Sequence, residues 1–411
     1  MTKLFINIKE LVQVRTEPIS FVAGENMKIL PSISNAFLLV ENGRISDFGE
    51  MKDCPKISVI DIVDASGRIV MPSYCDSHTH LVYAGNREGE FVDKINGLSY
   101  EEIANRGGGI LNSAKLIATT SEDDLFEQSK ARLLEIIEQG TGAVEIKSGY
   151  GLSFDSELKM LRVIKRLQQD SNIEIKATFL GAHAIPANYK DNKQGYLRML
   201  IDELMPVIAK EKLAEYVDIF CEKGYFSVDD TELILEAGQK YGLIPKIHVN
   251  QFNAIGGVEA GIKYNALSLD HLEVLGEGDI DAMKTSKAMP VALPSCSYFL
   301  SISYTPAREI MKAGLPIALA SDYNPGSTPS GNMSFVIATA CIKMKMTPEE
   351  AINAATLNGA YAMGLEKELG SITVGKLANL IVTKPINSYS SLAYYFATNN
   401  IESVYLKGEK Q

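Results

Sequence analysis

The stretch Cys75–His80, with the sequence CDSHTH, decides the fold, and it follows the mostly apolar run Gly67–Pro72. In an extended strand, residues two apart point to the same side, so His78 and His80 can direct two imidazoles at one point. Neutral imidazole is a good ligand for zinc or iron. The alternative is a His-x-His pair on a solvated strand that binds nothing, since two ligands alone do not make a metal site.

The other three of the five histidines in the chain share one kind of position. Each ends a short, mostly apolar run of the kind that forms buried parallel strands, namely Phe179–His183, Leu243–His248 and Ala266–His271. Any one of them could be an ordinary core histidine. Separate core roles for the individual histidines do not readily explain why every histidine lies at the end of a predicted strand. We therefore expect the histidines to meet at one site.

The middle of the chain alternates between strand-like and helical segments. The clearest helix runs from Asp155 to Gln169, with Ser153 or Asp155 as its cap and an apolar stripe of leucine and isoleucine. Repeated βα units over about 250 residues are typical of a (β/α)₈ TIM barrel, and a doubly wound open sheet is the alternative. The barrel is favoured because it collects side chains from many strand ends on one face. The predicted strands lie near residues 69–75, 143–147, 173–180, 215–221, 244–248, 266–270, 288–293 and 316–321.

Both chain ends are rich in strand patterns. Ala36–Val40 is followed by the turn Glu41–Gly43, whose Asn-Gly pair suits a type I′ hairpin. Near the other end, Gly370–Gly375 and Leu377–Val382 have a strand–turn–strand pattern. We expect a small β-sandwich domain built from residues 1–66 and 363–411, beside a barrel formed by residues 67–362.

Composition limits the class of protein. The apolar fraction of 46% indicates a large core, and no stretch of the sequence has the length and apolarity of a transmembrane helix. The net charge of −11 argues against nucleic acid or anionic membranes as partners. Five scattered cysteines form neither a disulfide framework nor a Cys-x-x-Cys motif, which favours a cytoplasmic location.

Side chains at the ends of the predicted strands could together form a metal site. A catalytic metal needs about three protein ligands and an open position for water. His78, His80 and His248 form such a set together with Asp322, which follows the eighth predicted strand. Alternatively, Asp322 could cap a following helix.

Several motifs resemble those of the amidohydrolase superfamily and, within it, the imidazolonepropionase family. The His-x-His motif marks only the superfamily, whereas the segments around Arg87, Tyr150 and Asn324 are more selective. The resemblance extends over most of the chain and is carried by the segments Cys75–Phe91, Gly107–Leu111, Glu145–Leu152, Phe179–His183 and Asp322–Ser327.

The resemblance implies roles for individual residues. One Zn²⁺ or Fe³⁺ ion per subunit would be held by His78, His80, His248 and Asp322. The implied catalytic residues beside the scissile amide are His271, Asp322 and Gln251. The implied substrate-binding residues are Arg87, Tyr150, His183, Gln251, Asn324, Gly326 and Ser327. The planar guanidinium fork of Arg87 independently suits a carboxylate.

Two positions depart from the family pattern. Position 251 is Gln where some members have Glu, and an amide cannot shuttle a proton, so acid–base work falls to His271 or Asp322. The fourth predicted strand is followed by Glu222 rather than by a lysine that could be carbamylated to bridge two metals. This favours one metal ion.

The activity implied by the resemblance is hydrolysis of 4-imidazolone-5-propanoate to N-formimidoyl-L-glutamate in histidine degradation, with metal-activated water attacking the ring carbonyl. The resemblance also implies a homodimer. Another cyclic amidohydrolase or a deaminase would keep the metal ligands without needing Arg87 and Tyr150. A metal-free scaffold protein on the same barrel would have no reason to keep the ligands.

Overall fold

The computed structural model describes residues 2–56, 61–98, 102 and 108–411, so Gly107 of the motif Gly107–Leu111 lies outside the described residues. Its strands form two sheets, one from the middle of the chain and one from the two ends. In chain order the strands are β1 (Thr2–Val12), β2 (Ser32–Glu41), β3 (Arg44–Glu50), β4 (Asp61–Asp64), β5 (Ile69–Pro72), β6 (Tyr74–Thr79), β7 (Thr141–Lys147), β8 (Glu174–Ala182), β9 (Tyr216–Cys221), β10 (Ile244–Pro245), β11 (Ile247–Val249), β12 (Ser268–His271), β13 (Met289–Ala292), β14 (Ala318–Leu319), β15 (Leu380–Thr383), β16 (Ile401–Leu406) and β17 (Glu409–Lys410).

The middle sheet is a parallel barrel. Its hydrogen-bonded order is β6-β7-β8-β9-β11-β12-β13-β14, with β10 beside β9. The segments β10 and β11 share the fifth strand position and are separated by Lys246. A parallel bridge between Thr79 and Tyr323 joins the first position to the last, and the backbone N–H of His80 donates to the Tyr323 carbonyl at 2.9 Å. The predicted barrel is therefore confirmed, and the open sheet is excluded.

Helices cover the outside of the barrel. The predicted helix at 155–169 is confirmed as Phe154–Asp170, and the side chain of Ser153 accepts a hydrogen bond from the Ser156 N–H as its cap. The four predicted stripe residues of this helix, Leu158, Leu161, Ile164 and Leu167, are buried. No described helix is both long and apolar enough to cross a membrane. Among the described residues, the α-helices with defined bounds are Glu88–Ile95, Ile110–Thr119, Glu122–Glu138, Phe154–Asp170, Lys193–Arg198, Met205–Glu211, Val228–Lys240, Gly257–Lys263, Asp279–Lys284, Pro294–Leu300, Ala307–Lys312, Met333–Met344, Pro348–Ala355, Leu357–Ala362 and Ser390–Tyr394, and a π-helix spans Met199–Leu204.

The chain ends form one mixed sheet in the order β17-β16-β15-β5-β1-β2-β3, with β4 beside β1. The sheet folds over its own core, because Phe5 of β1 and Tyr405 of β16 are separated by two strands in the sheet yet have ring centroids 5.0 Å apart. The predicted hairpin joins β2 and β3, and positive φ angles at Asn42 (51°) and Gly43 (78°) fit its type I′ turn.

Two strand predictions need correction. The segment predicted near 69–75 is divided, because β5 (Ile69–Pro72) pairs within the end sheet and only β6, from Tyr74 onward, belongs to the barrel. A continuous apolar run cannot show where a chain changes its pairing partner. The predicted strand Gly370–Gly375 makes only a single bridge, between Ile372 and Val14. The division into residues 1–66, 67–362 and 363–411 stays a prediction.

Candidate active site

The barrel brings the predicted ligands close together, in overlapping groups, at the carboxyl ends of its strands. His78 is on β6, His80 directly follows it, His248 is on β11, and Asp322 lies just after β14. The Nε2 atoms of His80 and His248 are 3.4 Å apart. Asp322 Oδ1 lies 3.6 Å from His78 Nε2 and 3.7 Å from His80 Nε2. His78, His80 and Asp322 form one group whose potential ligand atoms all lie within 4.8 Å of one another, and His78, His248 and His271 form another.

These residues fit a metal ion. His78 Nε2 is buried and has no hydrogen-bond partner among the described residues, although an unpaired buried nitrogen is costly. Burial keeps the pKa values of His78 and His80 well below the ordinary histidine value, so both imidazoles are neutral and can donate lone pairs. A converging set of neutral imidazoles and one carboxylate is the donor set that zinc and iron accept.

The buried carboxylates of Asp270 and Asp218 orient His78 and His248. Asp270 Oδ2 lies 2.7 Å from His78 Nδ1, and Asp218 Oδ2 lies 2.9 Å from His248 Nδ1. Each carboxylate accepts the Nδ1–H of its histidine, which leaves the Nε2 lone pair directed toward the other ligands. The pKa of Asp218 is well below its ordinary value because His248 and Lys147 outweigh the opposing effect of burial.

A buried charge network links the two carboxylates. Lys147 Nζ lies 2.6 Å from Glu145, 2.9 Å from Asp218 and 3.3 Å from Asp270. Lys246 also pairs with Glu145, and all five side chains are inaccessible to solvent. Burial alone would lower the pKa of Lys147, but the surrounding carboxylates raise it above its usual value. Lys147 is therefore a structural counter-ion beneath the candidate metal site.

His271 lies beside this centre in a strained backbone conformation. Its φ of 89° is in the region that favours glycine, and φ is also positive at Asp322 (57°). His271 Nδ1 is 3.2 Å from Glu273 Oε1. Burial alone would lower the pKa of His271, but the Glu273 carboxylate raises it above the ordinary value. Burial raises the pKa of Asp322.

Of the predicted binding residues, Tyr150 and His183 pack against His80, and Arg87 and Gly326 line a cavity. The His183 ring stacks on His80 with centroids 5.1 Å apart, and Tyr150 contacts His80 edge-on at 5.4 Å. Arg87 lines an adjoining cavity of about 340 Å³. The Arg87 Nε and Nη2 atoms bond one oxygen of Glu90 at 2.8 and 2.7 Å, so one edge of the guanidinium is already engaged. The other Glu90 oxygen accepts the Gly109 N–H at 3.0 Å.

The Asn324–Ser327 loop joins the Arg87 cavity to the metal site. Asn324 Oδ1 accepts the N–H groups of Gly326 and Ser327 at 2.7 and 2.8 Å, and Asn324 Nδ2 donates to the Asp322 carbonyl at 2.7 Å. The Asn324 amide is thus engaged in shaping the loop. A Cβ atom at Gly326 would lie 2.3 Å from Arg87 Nη1, so this close approach requires glycine.

Gln251 and Glu222 lie on the same side of the barrel. Gln251 is half-buried, and its Nε2 lies 3.5 Å from the Sγ atom of Cys296. Glu222 accepts hydrogen bonds from the backbone N–H groups of Phe252 and Asn253 at 2.9 and 3.2 Å. Glu222 therefore holds the loop after β11.

Sequence reasoning did not assign roles to several polar residues around the site, most of which are buried. The missed residues are Glu90, Asp218, Asp270, Glu273 and Cys296. A usable signal existed for the two aspartates, since Asp218 lies inside a short, otherwise apolar strand and Asp270 directly follows the mostly apolar run Ala266–Leu269. In a barrel, inward side chains alternate along each strand, so a charge at such a position faces other inward charges. The pairings themselves could not be foreseen.

Comparisons with known proteins agree with this geometry. A profile described as the amidohydrolase family matches residues 69–410. The imidazolonepropionase of Flavobacterium johnsoniae is 64% identical over 409 residues, covering 100% of both chains. That of Geobacillus sp. (strain WCH70) is 39% identical over 414 residues, covering 99% of this chain and 97% of the relative.

Among solved structures, guanine deaminase from C. acetobutylicum with bound guanine has a TM-score of 0.73 at 18% identity, covering 100% of both chains. A zinc-bound adenosine deaminase from Xanthomonas campestris has a TM-score of 0.72 at 16% identity, covering 99% of this chain and 92% of that one. At these identities the likeness shows the shared fold.

The fold, the converging ligands and the family match together define an amidohydrolase, and the chain belongs to that family. Within it, the full-length relatives at 62–64% identity make the chain a member of the imidazolonepropionases.

Proposed function

We propose that this chain hydrolyses 4-imidazolone-5-propanoate to N-formimidoyl-L-glutamate, a step of histidine degradation. Full-length identity with imidazolonepropionases carries the proposal. The site supports it, because Tyr150 packs against His80 of the metal-binding group and is also close enough to interact with the charge of Arg87, which lines a cavity. The substrate has the matching pair of features, a cyclic amide to be cleaved and a carboxylate to be bound.

We assign one Zn²⁺ or Fe³⁺ ion per subunit to His78, His80, His248 and Asp322. The short Nε2–Nε2 distance between His80 and His248 and the nearby Asp322 oxygen support this assignment. When bound, such an ion lowers the pKa of a water molecule toward ~7 and polarises the substrate carbonyl. Asp270 and Asp218 keep His78 and His248 in the tautomer that this role needs.

Asp322 and His271 perform the proton transfer and the charge stabilisation. Asp322 is buried beside the two histidines of the His-x-His motif, with its Oδ1 atom 3.6 Å from His78 Nε2 and 3.7 Å from His80 Nε2. Asp322 accepts one proton from the attacking water and passes it to the ring nitrogen as the carbon–nitrogen bond breaks. His271, oriented by Glu273, donates a hydrogen bond to the carbonyl oxygen as negative charge develops there. Gln251 binds the substrate and does not take part in proton transfer.

Arg87 and Tyr150 bind the propionate. Glu90 fixes one edge of the guanidinium, so the Nη1 side next to Gly326 remains for the substrate. Tyr150 is buried and close enough for the charge of Arg87 to oppose the rise in its pKa that burial causes. The phenol therefore stays protonated and can donate a hydrogen bond to the same carboxylate.

The substrate assignment is tested by Arg87→Met, assayed on the propionate substrate and on an analogue that lacks the propionate. Loss of one charge-assisted pair should cost about 1.5–3 kcal/mol, or about ten- to a hundredfold in kcat/KM, for the propionate substrate alone. Arg162→Met, which removes a surface pair with Glu211, is the matched control and should behave like the parent. Equal losses on both compounds would contradict the assignment, and preferred deamination of a nucleobase would favour the deaminase alternative.

The ligand assignment is tested by metal analysis of His→Ala variants. His78→Ala and His248→Ala should lose both metal and activity while remaining folded. His183→Ala is an informative comparison, because His183 also lies within ligand distance of His80 and His248 but is assigned to substrate binding. It should keep its metal. Full metal content in the first two variants, or loss of metal in the third, would contradict the assignment.

The resemblance also supports the proposal of a cytoplasmic homodimer. Sedimentation equilibrium at several protein concentrations tests the dimer, and a monomer at all concentrations would contradict it.

A further inference from the structure

A second group of metal-binding side chains lies next to the proposed hydrolytic site. His271, Glu273 and Cys296 have potential ligand atoms that all lie within 4.8 Å of one another. All three side chains are buried, with Cys296 completely inaccessible to solvent. They come from β12, from the segment that follows it and from the helix Pro294–Leu300 after β13. None of them is among the four ligands assigned to the hydrolytic metal.

Glu273 gives an independent indication that this group binds a cation. Its Oε1 atom lies 3.2 Å from His271 Nδ1. Its Oε2 atom is buried and has no hydrogen-bond partner among the described residues. A buried carboxylate oxygen without a partner is costly, and a bound cation removes that cost. The Cys296 thiol lies 3.5 Å from Gln251 Nε2 and is also close to the side chains of Asp322 and Ser327.

We propose that His271, Glu273 and Cys296 form a second, lower-affinity site for a thiophilic divalent cation such as Zn²⁺. Imidazole, carboxylate and thiolate are all zinc ligands, and the thiolate favours zinc or cadmium over magnesium or calcium. Binding releases the Cys296 thiol proton to solvent and involves no oxidation or reduction. The cation must displace this proton before the thiolate can bind it, which lowers the affinity.

Occupancy of the second site inhibits the enzyme. A cation bound there takes up His271, which the proposed function uses to stabilise developing charge, so excess zinc should inhibit without displacing the first ion. This consequence alone rests on the proposed function. The existence of the site is independent of the substrate and can be measured by metal binding.

Titration of the zinc-loaded enzyme with Cd²⁺ tests the site. The four proposed ligands of the first ion include no thiol, so the ultraviolet thiolate-to-cadmium charge-transfer band reports the second site. We expect the band to saturate at one added equivalent of Cd²⁺ without release of zinc into solution. Cys296→Ala should abolish the band, and Glu273→Gln should weaken cadmium binding about tenfold or more while the thiol remains.

Cys221→Ala is the matched control, because Cys221 is also a buried thiol at the end of a barrel strand but belongs to none of the candidate metal groups among the described residues. It should keep the band. A band of parental strength in Cys296→Ala, or no band in the parent, would overturn the proposal. Stoichiometric release of zinc as the band appears would also overturn it, because cadmium would then have entered the first site with Cys296 as a ligand.

Discussion

Asp270→Asn tests whether the carboxylates beneath the histidines set the metal affinity. Asp270 accepts the His78 Nδ1–H at 2.7 Å in a fully buried position, and its other oxygen accepts the Ser268 hydroxyl at 2.5 Å. Asparagine keeps the shape and one acceptor oxygen but removes the charge. Because a charge-assisted hydrogen bond is roughly twice as strong as a neutral one, His78 becomes a weaker ligand.

The expected loss is about ten- to a hundredfold in metal affinity, the usual effect of removing such an outer partner. This corresponds to about 1.4–2.8 kcal/mol. The fold should persist, because Lys147 keeps its pairs with Glu145 and Asp218. Competition with a chromogenic chelator measures the affinity, and thermal unfolding of the metal-free protein measures the stability.

Asp230→Asn is the matched control for this experiment. Asp230 is a buried carboxylate that pairs with Lys193 and accepts the Ser227 N–H at 2.9 Å, with no histidine contact among the described residues. It should lose stability but keep the parental metal affinity. An unchanged metal affinity in Asp270→Asn, or an equal loss in the Asp230 variant, would refute the reasoning.

Three further changes have defined outcomes. His271→Ala should keep about one metal ion per chain but lose about 10²-fold or more in kcat, and loss of the metal would instead make His271 a ligand. Gly326→Ala places a Cβ 2.3 Å from Arg87 Nη1, so the guanidinium must move. We expect KM for the propionate substrate to rise about tenfold with unchanged metal content. An unchanged KM would contradict the role of Arg87 in substrate binding. Burial lowers the pKa of Lys376 from 10.5 to about 8, so the unfolded chain binds more protons between these values and stability should rise as pH increases through them. The free energy of unfolding should rise by on the order of 2–3 kcal/mol in the parent protein and should not rise in Lys376→Met. Chemical denaturation at several pH values measures this free energy, and parallel pH profiles of the two proteins would contradict the prediction.

The sequence alone favoured the barrel and indicated that histidines lie at the ends of several of its strands. Inward and outward side chains alternate along a strand, so His78 and His80 had to share a side, and histidines marked the ends of four of the eight predicted barrel strands. These patterns are local, because they depend on the geometry of one strand. Where the pattern was continuous across a change of pairing partner, as between β5 and β6, the prediction was wrong.

Only the tertiary structure decided which side chains meet. The His78–Asp270 pair spans 192 residues and the His248–Asp218 pair 30, and neither separation is marked in the sequence. The engagement of Arg87 by Glu90, and the group of His271, Glu273 and Cys296, likewise follow from the folded chain. Closing the barrel fixes the stagger of its strands, and the stagger determines which inward side chains lie at the same level. That level is a property of all the strands together, so no single segment of the sequence encodes it.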